Sequence, residues 1–341
     1  MSSLSKGALM PSTSTHFGVV GAGAWGTALA IALAKSGRAV TLWVRENELA
    51  ESMAQKRENT AFLPEIRLPD SISVINDVAG LARCQALVLA PPAQHLRSVC
   101  KALAPHIGKP VFLIIASKGI ELTSHSLMSE VVSRELPDRP VFVLTGPSFA
   151  SEIAKGLPAA LTLASETENE SIALAMSSPA FRLYRTDDII GAQLGGAIKN
   201  VLAIACGVAM GRGLGENARA ALITRGLAEM VRLGVALGAR AETLMGLSGL
   251  GDVVLTCTSL QSRNTSLGFA LGHGKDLQEI MATRNSVAEG LSTAAAALGL
   301  ARRHGVEMPV VSSVDLILRE KASIDDVISN LLSRPLRNET I

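Results

Sequence analysis

"HFGVVGAGAWGTALAIALAK", residues 16–35, decides the fold. Its first five residues read as a strand. The next six, "GAGAWG", place Gly21, Gly23 and Gly26 in GxGxxG register, and Trp25 to Ser36 carries the small apolar residues of a buried helix. In that setting the first glycine makes a tight turn, the second lets the backbone approach a diphosphate, and the third lets the helix pack closely on the strand. A glycine-rich turn with no ligand would show the same three residues. The second strand that follows the helix, "AVTLWV", favours a nucleotide-binding βαβ unit.

Outward from this unit, further strands are predicted at "ALVLA" (86–90), "VFLIIA" (111–116), "VFVLT" (141–145), "AALTLA" (159–164) and "FRLYR" (181–185). Helices fall between most of them, the signature of a parallel α/β sheet. From about Ile189 the alternation stops. Segments such as "NARAALITRGLAEMVRLGVALG" and "EGLSTAAAALGLARRHG" instead carry apolar residues at helical spacing between glycine stops. The expected organisation is a Ser/Thr-rich disordered tail over 1–15, a Rossmann-type dinucleotide-binding domain over 16–188 and an all-helical substrate and catalytic domain over 189–341. The tail has no apolar core of signal-peptide length.

Composition narrows the partners. Among 341 residues, 32 Lys and Arg nearly balance 30 Asp and Glu, so no basic stripe is available to neutralise a nucleic-acid backbone. A small molecule is the expected partner. Cys84, Cys100, Cys206 and Cys257 form no CxxC or Cys/His pair of zinc spacing, which suggests neither a disulfide framework nor a metal site and fits a reducing compartment. One apolar stretch, 191–211, approaches the length of a membrane span. It holds five glycines together with Gln193, Lys199 and Asn200, and is better read as a core helix than as a stable insertion.

Lys199 is the only charged side chain in that stretch, so its ammonium needs a partner or a task. Asp252, inside the apolar "GLGDVVL", is equally awkward and is its natural counter-ion, although it could also cap a helix. Lys118 follows the strand "FLIIA", at the carboxyl edge where open α/β sheets bind ligands; a surface lysine ending a strand would look the same. Gly146, Pro147 and Ser148 form a turn after the next strand, able to present N–H groups and a hydroxyl to a bound oxygen. Arg263 with Asn264 offers a planar fork and an amide suited to a phosphate, although Arg263 alone could be a surface helix residue, while Thr256 lies in the same polar block. After the second strand, Arg45 leans toward NADP(H), or toward use of both coenzymes, unless it is simply a solvated surface arginine. Glu46 beside it either holds a ribose or begins the next helix.

Taken in order, "GAGAWGTALA", "NTAFLP", "ASKGIE", "TGPSFA", "GAQLGGAIKNV", "NARAALITRGLAEM", "GLGDVVLTCTS" with "QSRN", "VAEG" and "HGVEMPV" resemble the motifs of the bacterial NAD(P)-dependent sn-glycerol-3-phosphate dehydrogenases, from roughly Phe17 to Pro309. The resemblance implies that Lys199 is the acid/base, and that Lys118 lies beside both cofactor and substrate. It assigns Gly146, Ser148, Asp252, Ser262, Arg263 and Asn264 to the substrate site, for which Asn200 and Thr256 are further substrate-binding candidates, and makes Lys118 and Asp252 catalytic alongside Lys199. Ala24, Trp25, Arg45, Ala150, Val287 and Glu289 fall at cofactor positions, which Arg263 also approaches. It further implies NADPH/NADP or NADH/NAD as cofactor, a cytoplasmic homodimer, and glycerol 3-phosphate supply for phospholipid synthesis. A β-hydroxyacid dehydrogenase, which also sets a lysine near an asparagine on the first helix after its nucleotide domain, is the enzymatic alternative. A non-catalytic nicotinamide sensor is the alternative from another class.

Overall fold

The computed structural model describes residues 15–168, 170–283 and 288–335. Apart from Thr15, the expected tail lies outside the described residues. Strands β1 (His16–Val20) and β2 (Ala39–Trp43) flank helix α1 (Ala24–Lys35) and pair in parallel, as the sequence predicts. Helix α2 (Asn47–Lys56) then leads to an antiparallel hairpin, β3 (Glu58–Asn59) with β4 (Leu63–Arg67), and to β5 (Ile72–Ile75). The chain continues as β6 (Ala86–Leu89), α3 (Leu96–Leu103), β7 (Phe112–Ile115), α4 (Met128–Glu135), β8 (Val141–Thr145), α5 (Ala150–Lys155), β9 (Ala159–Ala164), α6 (Glu170–Met176) and β10 (Phe181–Thr186). Eight of these strands form one sheet in the order β10-β9-β8-β7-β6-β1-β2-β5.

Three features depart from the expectation. The β3–β4 hairpin and edge strand β5 were not anticipated. The sheet is also not wholly parallel, because β9 runs antiparallel to β8 and β10 then runs parallel to β9. The six-residue α5 returns the chain alongside the strand it has just left, whereas a parallel partner requires a full crossover.

Side-chain alternation gives the sheet two dry faces. Val19, Val88, Ile114 and Leu144 pack in a core that includes α1, α5 and α6. Their neighbours Val20, Leu87, Leu113, Ile115 and Val143 pack with α3 and α4 in a second core. Burial on both faces leaves ligand access to the ends of the strands, which sets the carboxyl edge as the place for a site.

The remaining elements are helical: α7 (Ile189–Gly211), α8 (Gly215–Ala236), α9 (Ala241–Leu244), a π-helical turn at Leu247–Gly251, α10 (Asp252–Cys257), α11 (Arg263–Gly272), α12 (Leu277–Ala282), α13 (Gly290–Arg303), α14 (Pro309–Leu318) and α15 (Ile324–Leu332). Asp188 caps α7 by accepting the Gly191 N–H at 2.8 Å. By length and composition α7 would cross a membrane, yet 83% of its most apolar window is buried inside the protein. Its glycines explain how. Cβ atoms on Gly207 and, across the contact, on Gly268 would stand 2.1 Å from the Thr265 and Ile204 carbonyl oxygens, so α7 and α11 touch backbone to backbone. Glu229 on α8 caps α14 by accepting the Val310 and Val311 N–H groups at 2.7 and 3.2 Å, and burial pushes its carboxyl up to about 7. All four cysteines are free and buried.

Candidate active site

The glycine loop between β1 and α1 is built as a cradle. Gly21 has φ +106°, in the left-handed region that side chains avoid, and a Cβ on Gly26 would stand 1.9 Å from the Gly21 carbonyl oxygen. Gly23 has no atom within 4 Å of its Cβ position and supplies no side chain to cap α1. The first-turn amides of α1 are therefore open to an anion, and a dinucleotide diphosphate fits. Ala24 and Trp25 begin α1, and the Trp25 indole donates to the Ala116 carbonyl at 3.2 Å, just past β7. Ala150 opens α5, which packs on α1. Arg45 is exposed two residues beyond β2, its guanidinium paired with Glu46 at 2.5 Å; Glu46 itself is the N-cap residue of α2.

At the carboxyl edge, the sheet and the helices meet in a carboxylate clamped by two amines. Asp252, with no exposure to solvent, accepts from Lys118 Nζ on one oxygen and from Lys199 Nζ on the other, each at 2.7 Å. Lys118 comes from the loop after β7, Lys199 from the middle of α7 and Asp252 from the first turn of α10. Lys199 Nζ also donates to the Thr256 hydroxyl at 3.0 Å, and that hydroxyl donates to Asp252 at 3.3 Å. Lys118 Nζ also donates to the Gly146 carbonyl at 3.0 Å and lies 5.8 Å from the centre of the Trp25 ring. Burial pushes Lys118 down to about 8, reinforced by the Lys199 cation and opposed by Asp252. The sequence anticipated the pairing of Asp252 with Lys199; the structure adds Lys118 to the same carboxylate. Each ammonium retains one donor beyond its two hydrogen bonds, so both can turn toward a substrate oxygen.

Close packing sets this register. A Cβ on Gly195 would stand 2.2 Å from the Ser248 carbonyl oxygen, and one on Gly196 would stand 2.5 Å from Thr145 Oγ1 and 3.6 Å from the Lys118 stem. These two glycines let α7 lie against the π-helical turn and the end of β8, one turn before Lys199.

Several expected contacts are used internally. Ser148 donates its hydroxyl to the Gly146 carbonyl at 3.0 Å, rather than standing open beside the turn. Ser262 is the N-cap of α11, accepting from Thr265 N–H at 3.2 Å. Asn264 donates to Asn200 Oδ1 at 3.0 Å while its own oxygen accepts from Gly290 N–H at 3.1 Å, tying α11 to α7 and α13. One Asn264 proton remains beyond these bonds. Arg263, at the first position of α11, is exposed. Glu289 accepts weakly from Ala93 N–H at 3.4 Å, and its other oxygen is buried with no hydrogen-bond partner among the described residues. Burial pushes its carboxyl up to about 7, opposed chiefly by Arg263. An orphaned acceptor beside the Lys118 loop suits the polar amide of a nicotinamide. Val287 lies outside the described residues.

A diphosphate cradle on a Rossmann-type sheet, with helix-borne lysine and carboxylate brought to the sheet's carboxyl edge, defines a nicotinamide-dinucleotide-dependent oxidoreductase acting on a CH–OH group. Residues 16–171 match the family model described as NAD-dependent glycerol-3-phosphate dehydrogenase N-terminus, and residues 188–329 match the one described as its C-terminus. The chain belongs to the NAD-dependent glycerol-3-phosphate dehydrogenase family. It is 54% identical over 326 residues to glycerol-3-phosphate dehydrogenase (NAD(P)+) of Parvibaculum lavamentivorans, covering 94% of this chain and 97% of that one. The namesake from Caulobacter vibrioides is 52% identical over 94% of this chain and 98% of its own. The crystal structure of glycerol-3-phosphate dehydrogenase from Coxiella burnetii superposes with a TM-score of 0.92 at 38% identity, over 95% of this chain and all of that one.

Proposed function

We propose that the protein interconverts dihydroxyacetone phosphate and sn-glycerol 3-phosphate with NADPH/NADP or NADH/NAD, and that Lys199 is its acid/base. The observation that carries this reading is the Lys118–Asp252–Lys199 cluster, closed on a fully buried carboxylate at the mouth of the dinucleotide cradle, in a chain of this family. The nicotinamide, when bound, supplies the hydride to the ketone carbon and takes it back in oxidation. As negative charge grows on the ketone oxygen, Lys199 delivers a proton to it; in the reverse direction the amine accepts the hydroxyl proton, a contribution worth about 10²- to 10⁴-fold. Asp252 fixes both amines, so the proton donor and the Lys118 cation face the substrate in set positions. Arg263, with the spare Asn264 proton, binds the phosphate away from the reacting carbon and aligns it.

Neither half of the family match supports a β-hydroxyacid dehydrogenase, and a sensor has no need of two amines on one buried carboxylate. The coenzyme choice rests on Arg45, whose exposed guanidinium favours a 2′-phosphate. We further propose the division at 188/189, supported by the gap between the end of β10 at Thr186 and the start of α7 at Ile189, and a cytoplasmic homodimer serving phospholipid synthesis. Exposed Leu214, Val235, Leu316 and Leu332 in the helical half support self-association.

The deciding experiment follows oxidation of NADPH and NADH with dihydroxyacetone phosphate and with dihydroxyacetone, in wild type and Lys199→Ala. Turnover that requires the phosphate and falls at least about 100-fold in the variant is expected. Full turnover in the variant would make Lys199 structural.

A further inference from the structure

The "NTAFLP" segment contributes none of the groups described above, yet it folds directly against the phosphate cradle. Asn59 ends the short strand β3, where the β3–β4 ladder shifts register and β4 carries the extra residues. That side chain is fully buried beneath the glycine loop. Its Nδ2 donates to the Ala22 carbonyl and to Thr27 Oγ1, both at 2.8 Å, and its Oδ1 accepts from Phe62 N–H at 3.1 Å. With a carbonyl on one side and an N–H on the other, the amide has only one sensible orientation. Thr27, on the second turn of α1 and 1% exposed, donates in turn to the same Ala22 carbonyl at 3.4 Å.

We propose that Asn59 is a positioning residue for the cofactor, aiming the Gly23 N–H of the glycine loop at the dinucleotide diphosphate. The argument is one of peptide geometry. The Ala22 carbonyl and the Gly23 N–H belong to the same planar trans peptide and point in opposite directions. Drawing the Ala22 oxygen inward onto Asn59 and Thr27 turns the Gly23 N–H outward, into the open space around Gly23. A loop whose amides are already aimed loses less conformational freedom when the anion arrives. Leu63, in the core, and Ile66, packed against it, anchor the hairpin on the α1 face of the sheet, so Asn59 is held from a rigid base.

The inference rests on the dinucleotide reading of the site, and its test separates the two. Dissociation constants for NADPH, NADH and AMP would be measured by calorimetry on the full chain, with melting temperatures alongside, for wild type, Asn59→Ala, Asn59→Asp and Thr27→Val. Asn59→Ala is expected to weaken both dinucleotides alike by about tenfold, the scale of a lost hydrogen bond or two, and to leave AMP, which has no diphosphate bridge, within about twofold. Asn59→Asp keeps the acceptor for Phe62 N–H but loses both donors, so it should bind the dinucleotides no better than Asn59→Ala. The nearly isosteric Thr27→Val should weaken them by about threefold, and it decides the matter if the Asn59 variants do not fold. Wild-type affinity in Asn59→Asp, or a lowered melting temperature with unchanged dissociation constants, would reduce Asn59 to a turn-former and overturn the proposal. A wild-type chain that bound neither dinucleotide would overturn the reading of the site itself.

Discussion

Asp252 satisfies two ammonium groups at once, and each depends on it. Burying a charge is tolerable only with a partner, and removing one partner of a buried pair costs about 3–5 kcal/mol. The titration of Lys118 offers a measurable consequence. Lys118 titrates at about 8 in the folded chain, below its ordinary 10.5. Between those values the folded chain holds fewer protons than the unfolded one, so this group's contribution to stability rises with pH across that window. Substrate binding should move the other way. With the ammonium lost above about pH 8, the KM for dihydroxyacetone phosphate is expected to climb, while Lys118→Met should show the raised KM already near neutrality and no such step. Initial rates across the pH range check this, and a step of the same size in the variant would sink it. Lys199 and Asp252 were legible in the sequence because a charge inside an apolar run demands an explanation. The bond from Lys118 to Asp252 was not, because it joins residues 134 apart and a lysine after a strand has no signature of its own.

Helices α7 and α11 pack side by side, one holding Lys199 and Asn200, the other Arg263 and Asn264, with Asn264 bonded to Asn200 across the seam. Their glycine contact leaves no space for a side chain, so Gly268→Val must force the helices apart from a Cβ position 2.1 Å from the Ile204 carbonyl oxygen. Overpacking of this kind costs about 1–3 kcal/mol, or several degrees of melting temperature, and kcat should fall as Lys199 shifts from its partners. Calorimetry with steady-state kinetics tests both; a lowered melting temperature with unchanged kcat would mean that the two helices do not set the site's geometry together. The helices themselves were readable from their apolar spacing and glycine stops. Strand β5 was not, because only its first residue is buried and four residues are too few to show alternation. The reversal of β9 was hidden as well. A strand's direction is set by the length and docking of the connection before it, and nothing in "AALTLA" encodes either.

Across the whole molecule, the sheet supplies the glycine cradle and Lys118 while the helices supply Lys199 and Asp252, so the Lys118–Asp252–Lys199 cluster exists only where sheet and helices meet. The fold class followed from one βαβ unit and the loss of alternation near Ile189. Assembly beyond one chain is a property of surfaces that the helical periodicity does not specify. Sedimentation equilibrium is expected to return twice the 35.5 kDa of a single chain, and a monomer at enzyme-assay concentrations would refute the proposed dimer. The chain's 30 glycines carry one more consequence, for engineering. Replacing glycine by alanine usually raises heat resistance by stiffening the unfolded chain, by about 0.4–1 kcal/mol per position. Here the helix seams and Gly26 of the cradle are blocked by neighbouring atoms, and Gly21 and many surface glycines have positive φ. Gly108 has neither obstacle and lies away from the cradle, making it a natural first position for thermostabilisation, whereas the tightly packed glycines of α7 are closed to that strategy.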